Sequence, residues 1–168
     1  MRDAAPAQEP RAKSGQWRYR VAEPFYTRKG MEDVQQALVQ GEISSAASWA
    51  QGLASKIKDF YNVPVAFPVS SGAQALVVAL LCSDIGPGDH VIVPSLTMVA
   101  VANAVKLCGA TPIYADNHPG MLNPTWAEID AKRTPKTKAV IVCHTYGVAI
   151  KDIQNIADKC KANGWYLI

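Results

Sequence analysis

From residue 65 onward the chain alternates two textures. Short β-branched runs (65–69, 90–93, 111–114, 139–143 and 165–168) are separated by longer stretches whose apolar residues recur at helical spacing. Residues 72–83 are apolar nearly all round, as expected of a helix covered by a sheet. Residues 97–107 form a similar stretch, in which Ala100, Ala102 and Ala104 allow close approach to neighbours. The stretch 124–132 opens with Pro124, a residue suited to a helix start because its missing N–H costs nothing there. Residues 152–162 place Ile153, Ile156, Ala157 and Cys160 on one helical face. Strands alternating with helices predict right-handed βαβ units, hence an α/β fold: a mainly parallel sheet with helices on both faces. The tetrapeptide Gly86-Pro87-Gly88-Asp89 fits a tight turn between a helix and the next strand. Upstream, residues 31–39 and 47–60 read as helices joined by the polar loop Gly41-Glu42-Ile43-Ser44-Ser45. The expected organisation is a flexible basic leader at 1–20, a helical arm at 21–64 and an α/β body at 65–168. The arm would pack on the body or on a second subunit.

Composition narrows the function classes. Of 168 residues 49% are apolar, enough to bury a core. The longest unbroken apolar run, Ala75 to Cys82, is eight residues. A bilayer needs about 20, so no segment is expected to span a membrane. The opening MRDAAPAQEP has no apolar core behind its arginine and does not read as a secretory signal. The net charge of +3 sits in residues 1–20, where five basic residues face two acidic ones. The remaining twelve basic and twelve acidic groups cancel, which leaves no basic face for nucleic acid. Cys82, Cys108, Cys143 and Cys160 are widely spaced, as are His90, His118 and His144. Neither set has the spacing of a disulfide framework or a metal site, so reduced cysteines in a cytoplasmic protein are expected.

Chemistry concentrates where strands end. In Pro68-Val69-Ser70-Ser71-Gly72-Ala73-Gln74 a predicted strand runs through Ser-Ser-Gly straight into a helix. The first N–H groups of a helix have no partner within it, and the helix dipole favours an anion there. Gly72 would let the backbone approach a ligand and Ser71 could add a hydroxyl, an arrangement suited to a phosphate. Taken alone, either serine could equally be a plain helix cap. The segment is neither a Walker loop nor a GxGxxG fingerprint. Pro94-Ser95-Leu96-Thr97-Met98 repeats the arrangement after the next strand, with Ser95 or Thr97 expected to cap the following helix. Cys143-His144-Thr145-Tyr146-Gly147 brings an imidazole and a phenol to the same rim, where a lone histidine is more often a packed, hydrogen-bonded residue.

These segments, in this order, resemble the DegT/StrS family of sugar aminotransferases. The likeness runs through Ser71-Gly72-Ala73-Gln74-Ala75-Leu76, Ile85-Gly86-Pro87-Gly88-Asp89 and Pro94-Ser95-Leu96-Thr97. It continues through Gly109-Ala110-Thr111-Pro112, Thr134-Pro135-Lys136-Thr137-Lys138-Ala139 and His144-Thr145-Tyr146-Gly147. Upstream, Glu23-Pro24 and Gly41-Glu42-Ile43-Ser44-Ser45 match the family's opening segment and its Trp-Ile-Ser/Thr loop. The resemblance covers roughly residues 21–168 and implies a fold type I enzyme dependent on pyridoxal 5′-phosphate. It also implies a homodimer with sites at the subunit interface. The substrate would be a nucleotide-linked keto sugar, and the amino donor an amino acid, glutamate as a rule. By the same likeness, Ser71, Gly72 and Ala73 would hold the cofactor phosphate and Met98 would lie on its ring. Ile43, Ser44 and Ser45 would fall near the substrate.

Two positions depart from the family pattern. Ala73 stands where a threonine is usual, so a hydroxyl is lost while the backbone donor stays; Met98 stands where an aromatic ring is usual. The family's pyridinium-pairing aspartate and Schiff-base lysine would both follow residue 168. Lys106 lies in a helical stretch and Lys138 begins a strand, so neither replaces that lysine on spacing. The expectation is therefore the N-terminal portion of a longer enzyme, inactive alone. A sugar dehydratase of the same family, with histidine for lysine, is one alternative. A non-catalytic module that binds a partner subunit or a phosphorylated ligand is another. An unrelated nucleotide-binding α/β domain is disfavoured because no dinucleotide fingerprint follows any strand.

Overall fold

The computed structural model describes residues 25–44 and 46–168, which fall into two compact units divided between Pro68 and Val69. In the first, α1 (Arg28–Val39) and α2 (Ser48–Tyr61) bury none of their residues. Thr27 caps α1 by accepting from Gly30 N at 2.9 Å. The start of α2 has no side-chain cap of its own; the Glu42 carboxylate reaches across the loop to accept from Ser48 N at 2.6 Å. That bond holds the Glu42 carboxyl below its ordinary value. The predicted leader and Glu23-Pro24 lie outside the described residues.

The second unit, Val69–Ile168, carries the sheet. Helix α3 (Gly72–Cys82) leads into β1 (His90–Pro94), α4 (Val99–Leu107), β2 (Thr111–Ala115) and α5 (Trp126–Asp130). Then follow β3 (Thr137–Val140), a tight kinked turn at Thr145–Gly147, α6 (Ile153–Ala162) and β4 (Tyr166–Leu167). The four strands lie in the order β2-β1-β3-β4, and every neighbouring pair is parallel. The α/β expectation holds.

Alternation along the strands builds two cores. Val91, Val93, Ala139 and Ile141 point to one face, where Leu80 of α3 and Val101, Ala104 and Val105 of α4 cover them. Ile92, Ala115 and Val140 point to the other, under Ile129 of α5 and Ile156 and Cys160 of α6. Fully burying one such side chain stabilises by about 1.5–3 kcal/mol. The crossover through α4 moves outward from β1 to β2, whereas those through α5 and α6 run the opposite way. Right-handed connections then require opposite faces, as observed.

Residues 65–69 differ from expectation, since they form no strand. A β-branched run becomes a strand only beside a ladder partner, and none of the four described strands pairs with it. The run predicted at 139–143 also starts earlier than predicted, at Thr137, and its regular pairing ends at Val140.

Candidate functional site

All strands being parallel, their carboxyl ends share one rim. Because α3 and α4 each run back antiparallel to the strands and pack on each other in the same core, both begin at that rim. Strand order reverses direction at β1, so β1 and β3 flank a crevice whose crossovers leave on opposite faces. In open parallel sheets such a crevice is where ligands sit.

At the start of α3, Ser71 is the cap: its Oγ accepts from Gln74 N at 3.2 Å, and its carbonyl accepts from Ala75 N at 3.0 Å. The N–H groups of Gly72 and Ala73 have no hydrogen-bond partner among the described residues. A Cβ placed on Gly72 would meet nothing within 4 Å. The helix therefore opens with two free donors, and the space beside Gly72 is open. The Ser71 hydroxyl, spent as an acceptor on the cap, keeps its proton for a further partner.

After β1 the structure corrects one expectation. Neither Ser95 nor Thr97 caps α4; the cap position is Met98, in extended backbone without a side-chain hydrogen bond. Ser95 turns instead to β2, its Oγ donating to Asp116 Oδ1 at 3.0 Å and its N–H to Ala115 O at 2.8 Å. Thr97 Oγ1 is buried with no partner. Met98 is 76% exposed at this rim.

The end of β3 is held more elaborately. His144 Nδ1 accepts from Ile150 N at 3.2 Å, which places the ring proton on Nε2, in the neutral tautomer. The histidine is hydrogen-bonded as expected, but solvent-exposed rather than packed. Thr145, buried, donates to Asn123 Oδ1 at 3.0 Å, and Asn123 Nδ2 donates to Val148 O at 3.3 Å. Asn123, Thr145 and Asp116 were not singled out in the sequence; each acts through a partner on another element, and no local pattern signals such a pairing.

The loop from β2 to α5 is pinned by charge. Glu128 accepts from Thr125, through both the hydroxyl and the N–H (2.8 Å), and lies 2.8 Å from His118 Nδ1. The Thr125 hydroxyl first, and His118 next, hold the Glu128 carboxyl down at about 2. Burial pushes the Cys160 thiol up to about 11 and Cys108 upward as well; all four cysteines are free. No metal-holding cluster occurs among the described residues, and no helix there is long and apolar enough to cross a membrane.

Ser71, Gly72, Ala73 and Met98 thus share the carboxyl rim of the second unit. Ile43 and Ser44 lie in the exposed loop between α1 and α2 of the first unit, and Ser45 lies outside the described residues.

Residues 26–168 match the DegT/DnrJ/EryC1/StrS aminotransferase family. The chain belongs to this family. GDP-perosamine synthase of Escherichia coli O157:H7 is 38% identical over 152 residues, which cover 88% of this chain and 40% of that protein. An aminotransferase from Psychrobacter cryohalolentis superposes with a TM-score of 0.80 at 28% identity, over 86% of this chain and 36% of its own. The NtdA protein of Bacillus subtilis, solved with bound cofactor PMP, gives 0.77 at 26% identity, over 95% and 37%. The chain therefore spans about two fifths of the length of the relatives it matches. Its fold is that of the fold type I aminotransferases.

Proposed function

We propose that this family member supplies the cofactor-phosphate cup of a pyridoxal 5′-phosphate-dependent aminotransferase acting on nucleotide-linked keto sugars, with glutamate as amino donor. The observation that carries the reading is the pair of free N–H groups at Gly72 and Ala73, opening α3 at the carboxyl rim of a parallel sheet. The residues present fit the group. Two unpartnered backbone donors at a helix start suit a phosphate dianion. The unpartnered Thr97 Oγ1 marks unspent hydrogen-bonding capacity after the neighbouring strand. The loss of a hydroxyl at Ala73 leaves the backbone donor intact.

Each residue then has a role. Gly72 and Ala73 bind the phosphate through their N–H groups, Ser71 fixes the helix start and can donate its hydroxyl proton, and Met98 offers a polarizable surface to the ring. When bound, the cofactor supplies an electron sink for chemistry at the amino-bearing carbon. Ile43, Ser44 and Ser45 contact the sugar nucleotide, and the enzyme works as a cytoplasmic homodimer. Of the lysines weighed for the Schiff base, Lys106 is carried in the last turn of α4 and Lys138 pairs with Asp84 and Asp89.

Calorimetry on the purified protein tests the cup. Pyridoxal 5′-phosphate should bind more tightly than NAD or ATP. Gly72→Pro removes one donor at a helix position that tolerates proline, after a residue already in extended backbone. It should weaken cofactor binding by about tenfold, the worth of one charge-assisted hydrogen bond, without lowering Tm. Tighter nucleotide binding, or undiminished cofactor affinity in Gly72→Pro, would overturn the reading.

A further inference from the structure

Tyr146 adopts φ +53°, ψ +28°, in the left-handed region that side chains bearing a Cβ rarely enter. It does so in the turn directly past the carboxyl end of β3, on one wall of the crevice beside β1. The turn is held from several sides. Thr145, on one flank, donates into Asn123 Oδ1, and Asn123 Nδ2 donates to the carbonyl of Val148 on the other flank. Asn123 is itself only 6% exposed and comes from the separate loop after β2. His144 O accepts from Gly147 N at 2.9 Å, Thr145 O from Val148 N at 3.0 Å, and His144 Nδ1 from Ile150 N. A buried amide and a buried hydroxyl are thus committed to keeping one residue in an unfavourable conformation.

The side chain held this way contributes little to the fold, for Tyr146 is 82% exposed. Glycine would form the same turn without strain. Strain that surrounding bonds over-determine, at a residue whose side chain stays in solvent beside a crevice, points to a role in the site. A phenol offers an apolar ring face and a hydroxyl at one position, which matches a sugar, with its C–H face and its hydroxyls.

We propose that Tyr146 contacts the sugar of the nucleotide-linked substrate across the crevice between β1 and β3. This rests on the reading of that rim as the aminotransferase site. The cup at α3 holds the cofactor phosphate, and the β3 turn supplies a wall for the sugar.

The test uses wild type, Tyr146→Phe and Tyr146→Gly, with GDP-mannose as the sugar-nucleotide probe and pyridoxal 5′-phosphate as the second ligand. Tyr146→Gly should keep or raise Tm, because it relieves the left-handed strain. It should leave cofactor affinity within about twofold and weaken GDP-mannose about tenfold, with Tyr146→Phe between the two. Unchanged GDP-mannose affinity in Tyr146→Gly overturns the proposal, as does cofactor binding by wild type with no GDP-mannose binding at all. A large fall in Tm assigns the tyrosine to the fold and also overturns it. So does a shift from dimer to monomer in sedimentation, which would place the phenol against a second copy. Loss of cofactor binding in wild type would instead defeat the cup, and the sugar-nucleotide titrations alone would still decide the role of Tyr146.

Discussion

The two ends of the parallel sheet are built to opposite standards. At the amino end nearly every polar group has a partner. The Gly86–Asp89 turn closes with Asp89 N on Gly86 O (3.1 Å) and Gly86 N on Asp89 Oδ2 (2.9 Å). The Thr134 hydroxyl lies 2.9 Å from His90 Nδ1 and accepts from Lys136 N at 3.1 Å, and Lys138 bridges to Asp84 and Asp89. The unbonded Asp130 Oδ1 still has Arg133 Nη1 at 3.4 Å. At the carboxyl end the first N–H groups of α3 and of α4 and the oxygens of Thr97 and Asn117 go without partners among the described residues, while left-handed backbone occurs at both ends, at Asp84 and at Tyr146. Free N–H groups open every helix, but a buried polar atom without a partner costs stability, and at this rim the Thr97 and Asn117 oxygens are such atoms.

Glycines at the two ends offer the largest contrast. Gly109 precedes β2 with φ +79°, and a Cβ there would stand 3.0 Å from Pro87 Cγ, on a ring that cannot swing away. Gly109→Ala should cost about 2 kcal/mol in urea denaturation, from strain and contact together. Gly72→Ala meets open space and should be neutral or stabilise by up to about 0.5 kcal/mol, since alanine is the better helix former. Equal losses at both positions would erase the distinction between the rims.

The same exchange of threonine for valine should have opposite signs. Thr134→Val strands His90 Nδ1 and the Lys136 N–H, and should cost about 1–2 kcal/mol. Thr97→Val removes a buried hydroxyl that bonds nothing, and the ligand-free protein should be as stable or slightly more so. Differential scanning calorimetry of both variants, without ligand, reads the contrast. Destabilisation by Thr97→Val would show that its hydroxyl is already satisfied.

Much of this was legible in the sequence, and the reason differs by feature. Local periodicity carried the helices, because residues such as Ile156 and Cys160 face a core their own spacing reveals. Strand 90–93 was visible because both sheet faces are covered there and Val91, Ile92 and Val93 are all buried, whereas 111–114 was read from its Ile and Tyr although this edge strand stays half-exposed. Residues 65–69 have the same texture yet form no strand, since pairing is a property of the partner as much as of the run. The Gly86 turn and the Ser71 cap were readable from residue types with narrow backbone preferences. The roles of Asn123, Asp116 and Thr145 were not, for each depends on a residue on another element, such as the 22 positions separating Asn123 from Thr145. Tyr146 was visible as a phenol at the rim, but its left-handed backbone follows from those distant bonds rather than from its neighbours.

The smallest effect expected sharpens the comparison by showing that the carboxyl end is selectively open rather than loose. Between the unpartnered Asn117 Oδ1 and helix α5, Glu128 ties the loop down through Thr125 and His118, and its carboxyl is held at about 2. A carboxyl with ordinary value 4.5 when unfolded and about 2 when folded binds its proton more weakly in the native state. Its contribution is therefore complete above about pH 4.5 and lost as pH falls toward 2. Because the side chain is 22% exposed, solvent screening reduces that contribution to about 1 kcal/mol. In Glu128→Gln the acceptor oxygen remains but the titration does not. The variant should start about 1 kcal/mol less stable near neutral pH, and the gap should close as both proteins are taken from about pH 5 to about pH 2. Urea midpoints across that window measure the convergence. Parallel curves would mean that the ionised carboxylate does not hold the loop, and that the carboxyl rim is unanchored on this side as well.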